Sequence, residues 1–168
     1  MGTLVIKNLP EELHARLKEQ AQRHHRSVTK EVGVQLVDTN VLVALFLESS
    51  PFFEAAQELY RRDNHWRTET HALVKLTNAL TRYVRVGELE WQAAANAFAD
   101  AERRFGPDVW AAPNEQAMRT SLACGVSAYD ARFLVAAREL RVKLVTEDAK
   151  LRRAAAELTQ SLDETLAA

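Results

Sequence analysis

The 168-residue chain lacks the features that mark several classes of protein. Its one cysteine, Cys124, excludes an internal disulfide framework and fits a reducing cytoplasm; a small buried side chain or a bridge to another chain are the two uses open to it. No run of about eighteen apolar residues and no apolar N-terminal core is present, which predicts neither a membrane span nor a signal peptide. Twenty-two Lys and Arg against 23 Asp and Glu exclude binding of nucleic acid by bulk charge, while local patches stay open.

What the chain does have is enough apolar material for a core. Hydrophobic residues make up 47% of the sequence, which excludes global disorder. The length allows one domain of ordinary size with a short appendage. We expect an arm over residues 1–32, a main domain over 34–157 and a frayed C-terminal tail over 158–168.

From residue 34 onward, predicted strands alternate with predicted helices. "VQLVD" is a short continuous apolar run, typical of a strand covered on both faces, and further strands are predicted at "HWRTET", "DVWAA" and, as the last, "VKLVT". Helical spacing and caps predict the intervening helices, among them "HALVKLTNALTRYVR", "NEQAMRTSLACG" and "SAYDARFLVAAREL". This order predicts an α/β domain with a parallel sheet flanked by helices.

Three acidic residues fall where such a sheet binds its ligands, beyond the carboxyl ends of the strands. Asp38 ends the first strand, Asp148 follows the last predicted strand, and Asp130 lies in the first turn of a helix. Three carboxylates in one crevice repel one another, and a hard divalent cation such as Mg²⁺ or Mn²⁺ is the usual remedy. Such an ion activates water and stabilises a phosphorus-centred transition state, which indicates a phosphodiester site.

Each carboxylate also has a purely structural interpretation. Asp38 is placed to cap the helix that follows it. Ser127 and Asp130 have the spacing of a capping-box variant, and Asp148 follows Thr146, a candidate N-cap, so it would complement a helix dipole.

Four motifs in order resemble a PIN domain of the VapC toxin type: "LVDTNVLVAL", "LTNALTRYVR", "GVSAYDARFLVAAREL" and "KLVTEDAKLRRAA". The resemblance covers about residues 34–157. It implies a three-layer fold with four or five parallel strands. It also implies Mg²⁺- or Mn²⁺-dependent endoribonuclease activity, often on structured RNA such as transfer RNA, with dimerisation and an antitoxin partner.

The resemblance assigns roles by position. It implies that Asp38, Asp130 and Asp148 hold the metal, that Thr146 is the hydroxyl residue preceding the last acid, and that Asn40 is the asparagine following the first acid.

The second family acid is missing. The family places Glu three residues before the asparagine that corresponds to Asn78, and here that position is Lys75. Lys75 shares a helix face with His71, Asn78 and Arg82, opposite the apolar positions. It is either a solvated lysine or an ammonium group partly in the metal's place. The second interpretation predicts a weakened nuclease, and its alternative is an inactive relic that binds RNA, DNA or a partner chain.

The N-terminal stretch "TLVIKNLPEELHARLKEQAQRHHRSVTKEV" is similar to the start of a ribbon-helix-helix antitoxin of the FitA or VapB kind. The alternation over residues 3–9 predicts a short strand, and the spacing of Leu13, Leu17 and Ala21 predicts a helix over residues 10–25. Proteins of this kind lay a two-stranded ribbon in the DNA major groove. The resemblance makes Thr3, Val5 and Lys7 the candidate base readers. The second helix, "SVTKEV", is shorter than in that family, and the alternative is a vestigial arm packed on the main domain or a partner.

Overall fold

The computed structural model describes residues 34–168, together with Glu11, Ala15, Lys18 and Glu19. These four positions are helical and exposed, in agreement with the helix that the sequence predicts there. The predicted strand over 3–9 and the helix over "SVTKEV" lie outside the described residues. The chain divides into two compact units, 1–34 and 35–168.

The second unit is built on a five-stranded sheet. Its strands are β1 (Gln35–Val37), β2 (Trp66–Glu69), β3 (Val109–Trp110), β4 (Leu144–Val145) and β5 (Thr159–Gln160). They lie in the order β3-β2-β1-β4-β5, and all four pairings are parallel. The chain builds the sheet outward from β1 to β3 and then crosses to β4, so the point where the strand order reverses lies between β1 and β4. Crevices at such points are where open parallel sheets bind ligands.

Eight helices accompany the sheet within residues 34–168. They are α1 (Thr39–Phe46), α2 (Phe53–Arg62), α3 (His71–Arg85), α4 (Trp91–Phe105), α5 (Asn114–Cys124), α6 (Ala128–Leu140), α7 (Ala149–Ala154) and α8 (Leu162–Leu166), with 3₁₀ turns at Gly106–Asp108 and Ala156–Leu158. The fold is therefore the α/β sheet flanked by helices that the sequence predicts.

Helix boundaries follow local chemistry. Gly125 ends α5 in the left-handed conformation, at φ 65°, where a residue without Cβ is unstrained. The Ser127 side chain caps α6 by accepting from the Asp130 amide. In α3, Ala72, Leu76 and Leu80 are buried in the core. That leaves the opposite face of α3, which carries Lys75, for the cavity described below.

The C-terminal residues are not a frayed tail, and that prediction was wrong. Residues 159–160 form the edge strand β5, so "VKLVT" is not the last strand. Ser161 and Glu164 form a capping box for α8, and Leu162 is buried in the core at 1% exposure. The end of the chain is therefore part of the folded unit.

Within the described part of the chain, no helix is both long and apolar enough to cross a bilayer.

Candidate functional site

Asp38 stands at the reversal point of the sheet. It follows β1 directly, and its amide donates to the Val145 carbonyl of β4 at 3.0 Å. Its carboxylate caps α1, with Oδ1 accepting from the Thr39 amide at 2.6 Å. The residue is only 3% exposed. A carboxylate so deeply placed is stable only where donors or a cation meet it.

Two side chains that are far apart along the chain supply those donors. Asn40 Nδ2 and Thr146 Oγ1 each donate to Asp38 Oδ2 at 2.8 Å. Asn40 Nδ2 also donates to Thr146 Oγ1 at 2.9 Å, and Asn40 Oδ1 accepts from the Glu147 amide at 3.1 Å. This network ties the end of β1 to the end of β4 and fixes the orientation of the Asp38 carboxylate.

The Asp38 carboxyl remains short of stabilisation despite these contacts. Burial raises its pKa above the ordinary value, and this effect exceeds the lowering by the Lys75 charge, the Thr146 hydroxyl and the Thr39 amide. The neighbouring Asp130 carboxylate also raises the pKa. Additional positive charge at this point would therefore be favourable.

Asp130 approaches from the first turn of α6. Its Oδ2 accepts from the Ser127 hydroxyl at 2.7 Å, and its amide donates to the same hydroxyl at 3.1 Å. Its Oδ1 faces Lys75 Nζ at 3.3 Å. Asp130 thus takes part in a helix cap with one oxygen and faces the site with the other.

Asp148 is the N-cap of α7. Its Oδ1 accepts from the Lys150 and Leu151 amides at 2.8 and 3.0 Å. Thr146, predicted as the cap in the structural interpretation, instead accepts from the Asp148 amide at 3.2 Å and donates to Asp38. The Thr146 cap was therefore wrong, because its hydroxyl is turned toward Asp38.

Lys75 reaches the acids from α3. Its Nζ lies 3.3 Å from Asp130 Oδ1 and 4.0 Å from Asp38 Oδ1. The ammonium also lies 5.2 Å from the ring centroid of buried Phe133, within cation–π range. About a third of the side chain is exposed. Lys75 is accordingly no freely solvated lysine: it bridges two carboxylates.

Asp38, Asn40, Lys75, Asp130 and Asp148 line one cavity of about 710 Å³. Its wall includes every predicted acid, and Asn78, one helical turn beyond Lys75, also lines it. The residues that line the cavity include Asp38, Asn40, Phe52, His71, Val74, Lys75, Asn78, Arg82, Tyr83, Tyr129, Asp130 and Asp148. Asp38 and Asp148 thus cap helices, Asp130 hydrogen-bonds to the cap residue of a third, and all three acids line one cavity.

Glu69 does not replace the missing acid. It is fully buried, and its Oε1 accepts from Arg132 Nε at 2.8 Å and from the Thr70 hydroxyl at 2.7 Å. Its Oε2 accepts from the His71 amide at 2.7 Å. Burial raises the Glu69 pKa, but the donors from Arg132, His71 and Thr70 together hold it below its usual value. The carboxylate is saturated by these partners.

The position of Lys75 Nζ tests whether the site suits a divalent ion. Among residues 34–168, no three Asp, Glu, His or Cys side chains come together as a ligand set. The lysine ammonium nevertheless acts as a stand-in cation, because Asp38 and Asp130 both lie within 4.0 Å of it. Hard oxygen donors converging on one positive charge fit Mg²⁺ or Mn²⁺, which is commonly held by one or two carboxylates and substrate phosphate.

Sequence reasoning identified His71 and Arg82 only as neighbours of Lys75 on a helix face, and it missed Phe52, Val74 and Tyr129. Tyr129 had a usable signal, since it adjoins Asp130. Phe52 had none, because it lies in a turn far along the chain from Asp38, Asp130 and Asp148.

Two family models match the chain. One, described as PIN domain, matches residues 36–157. The other, described as antitoxin FitA-like, ribbon-helix-helix, matches residues 3–37. Its last three matched positions are strand β1, which lies between β2 and β4 in the sheet. No curated protein matches.

Among solved structures, the chain is similar to PAE2754 from Pyrobaculum aerophilum. The two share 21% sequence identity with a TM-score of 0.67, over 82% of this chain and 89% of the other. At that identity the likeness concerns the fold alone.

Proposed function

Since this chain belongs to the PIN domain family, we propose that it is a metal-dependent endoribonuclease of the VapC toxin type whose activity is weakened by Lys75. The observation that carries the proposal is the bridge from Lys75 Nζ to Asp130 at 3.3 Å and to Asp38 at 4.0 Å. Two of the three acids, Asp38 and Asp130, meet at an internal cation that would compete with a metal for them.

Asp38, Asp130 and Asp148 would hold the ion, which when bound supplies an activated water and charge neutralisation for phosphodiester hydrolysis. The other residues support these acids. Thr146 and Asn40 orient Asp38 through its Oδ2. Asp38 Oδ1, Asp130 Oδ1 and Lys75 then face one another, so the chain holds two negative charges and one positive charge at the point of reaction.

Lys75 weakens the site in two ways. It replaces a carboxylate ligand, and its charge opposes a second cation at the same point. Two charges 4 Å apart interact by about 4 kcal/mol at an effective dielectric near 20, and exposure of a third of the side chain reduces this figure by screening. The amount is still comparable to the binding free energy of a weakly held metal.

Lys75→Glu and Lys75→Met test the proposal together. We expect Lys75→Glu to bind Mn²⁺ at least about tenfold more tightly than the natural chain by calorimetry, which corresponds to about 1.4 kcal/mol. Lys75→Met removes the charge without adding a ligand and should lie between them. Equal binding by all three proteins would refute the competition between lysine and metal.

Cleavage of single-stranded and transfer RNA with Mn²⁺ then tests the enzyme itself. We expect slow cleavage by the natural chain, faster cleavage by Lys75→Glu, and loss of cleavage in either background on Asp38→Asn. The same residual rate with and without Asp38→Asn would mean that the nuclease assignment is wrong.

A second candidate function is a non-catalytic binding protein of a toxin–antitoxin system. The match of residues 3–37 to a ribbon-helix-helix antitoxin supports it. In this proposal Thr3, Val5 and Lys7 contact DNA in a ribbon formed by two chains; they lie outside the described residues. Binding to an operator-like duplex should weaken as salt rises and vanish on deletion of residues 1–9. Binding that survives the deletion would exclude the ribbon.

The nuclease proposal also includes a substrate, partners and a location for the chain. We propose an RNA substrate, an antitoxin partner, a homodimer and a cytoplasmic location, the last supported by the single cysteine. Light scattering of the purified chain tests the dimer, and a mass near the 18.9 kDa of one chain would exclude it.

A further inference from the structure

The cavity around Lys75 collects exposed apolar side chains as well as charges. In the described part of the chain, seven large hydrophobic side chains are exposed, and three of them, Phe52, Val74 and Tyr129, line this one cavity. Tyr129 is 62% exposed and Phe52 40%. Exposed apolar groups concentrated beside a charged centre mark a surface that a ligand covers.

Tyr129 has an aromatic neighbour across the cavity wall. Its ring centroid lies 6.0 Å from that of His71, and the two planes are tilted by 58°. Tyr129 directly precedes Asp130, and His71 precedes Lys75 by one helical turn. Both rings therefore lie on the helices that carry Asp130 and Lys75.

The His71 ring is held from beneath by the buried Glu69. His71 Nδ1 lies 3.3 Å from Glu69 Oε2, and Glu69 is itself fixed by the buried Arg132. About two fifths of the His71 side chain remains exposed. The His71 ring is thus held in place and still exposed. A histidine on a solvated helix face would be exposed but not held in place.

Positive charge lies farther along the same wall. Arg82 lines the cavity two helical turns after Lys75, and its guanidinium lies 5.5 Å from the ring centroid of Tyr83. A ligand that meets this wall would encounter a flat ring at one end and a guanidinium toward the other. Flat apolar faces joined by negative charges are the chemistry of a nucleic-acid strand.

We propose that Tyr129, with His71 beside it, is a stacking platform for one unpaired RNA base next to the phosphate at the Lys75 site, and that Arg82 contacts a neighbouring phosphate. This inference rests on the proposed function, because it needs RNA in the cavity. It adds a base-binding subsite that selects unpaired nucleotides, since a base within a duplex cannot present its face to a ring.

Binding in the presence of a metal chelator separates this platform from catalysis. The probe is a short fluorescently labelled single-stranded RNA, measured by anisotropy, together with a set in which each base in turn is replaced by an abasic ribose. We expect Tyr129→Ala to weaken binding of the intact RNA about tenfold, in the range for loss of one stacked base. Tyr129→Phe and Tyr129→Trp should bind as the natural chain does.

The abasic set supplies the decisive comparison. At one position the missing base should weaken binding to the natural chain about tenfold but leave binding to Tyr129→Ala unchanged, because the stacking partner is already gone. Trp91→Ala is the control, since Trp91 is 71% exposed and lines a different cavity. Arg82→Gln should reduce the salt dependence of binding by about one counterion.

The outcomes distinguish the two proposals. If the chain binds RNA but the losses of affinity from Tyr129→Ala and from base removal are additive at every position, the platform is overturned and the nuclease proposal remains. A chain that binds no RNA either with the chelator or with Mn²⁺ in its place would overturn both. A Tyr129-dependent abasic position in a chain that never cleaves would support the platform and favour the non-catalytic binding protein.

Discussion

Glu69 has a structural role that its position in the sequence does not indicate. Glu69 lies six residues before Lys75, the position where the family has its second acid. Its carboxylate is nevertheless buried and accepts hydrogen bonds from Arg132, from the start of α3 and from the loop before α5. Arg132 also donates to Asn114 Oδ1 at 2.6 Å. Removing one partner from such a pair leaves an uncompensated buried charge.

The pH dependence of stability follows from this pair. Because the folded pKa of Glu69 lies below its unfolded value of about 4.5, the unfolded chain takes up the proton first as the pH falls. The stabilisation is therefore complete above about pH 4.5 and is lost as the pH falls through the lower, folded pKa. We expect Glu69→Gln to cost about 3 kcal/mol at neutral pH, with the difference from the natural chain shrinking under acid.

Urea unfolding at pH 7 and below pH 4.5 measures this effect. Glu115→Gln is the matched control, because its ion pair with Arg119 is about 77% exposed and its loss should leave stability nearly unchanged at both pH values. A constant difference between Glu69→Gln and the natural chain at every pH would show that the Glu69 charge does not stabilise the fold.

At this same scale, the acids that line the cavity were predicted from the sequence, and their contacts were not. The rule that ligands lie beyond strand ends placed Asp38 and Asp148 correctly, and both line the cavity. The donation from Thr146 to Asp38 joins residues 108 positions apart. No local pattern encodes such a contact, and the same holds for the direction of the Lys75 side chain.

At the scale of elements, sequence prediction succeeded where a helix has its own pattern and caps. Helix α3 was predicted at the bounds the structure gives, and Gly125 and Ser127 correctly marked the end of α5 and the start of α6. Strand β5 was missed because it is two residues long and polar at an edge. Its existence depends on pairing with β4, which is a tertiary contact.

The C-terminal helix α8 should therefore contribute to stability. Ser161→Ala removes the side-chain cap and is expected to cost about 1 kcal/mol. Leu162→Ala empties a core position that is 1% exposed and should cost about 3 kcal/mol. Thermal or urea unfolding measures both, with exposed Asp163→Ala as the control on the same helix. Unchanged stability in Leu162→Ala would mean that α8 does not pack on the core.

At the scale of the whole molecule, the two compact units match two different family models. The models overlap at residues 36–37, within the strand β1. Those residues pair with β2 and β4 in the second unit. The antitoxin-like segment therefore shares its end with the sheet of the PIN domain, and no independent linker separates the two matches.

A chain that begins at Val34 tests this division. Since the core of the second unit is built from residues 34–168, we expect the shortened chain to unfold cooperatively and to keep the RNA binding of the full chain. Circular dichroism and anisotropy with the same labelled RNA measure the two properties. Loss of cooperative unfolding would show that the first unit is required for the fold of the second.

The lysine at the bridge also has a genetic consequence. Every lysine codon becomes a glutamate codon when its first base changes from A to G, so one transition would restore the family acid at the position of Lys75. On the proposed function, one point mutation in a gene for this protein would give a more active nuclease. In cells without a matching antitoxin, we expect selection to remove mutants that carry this change.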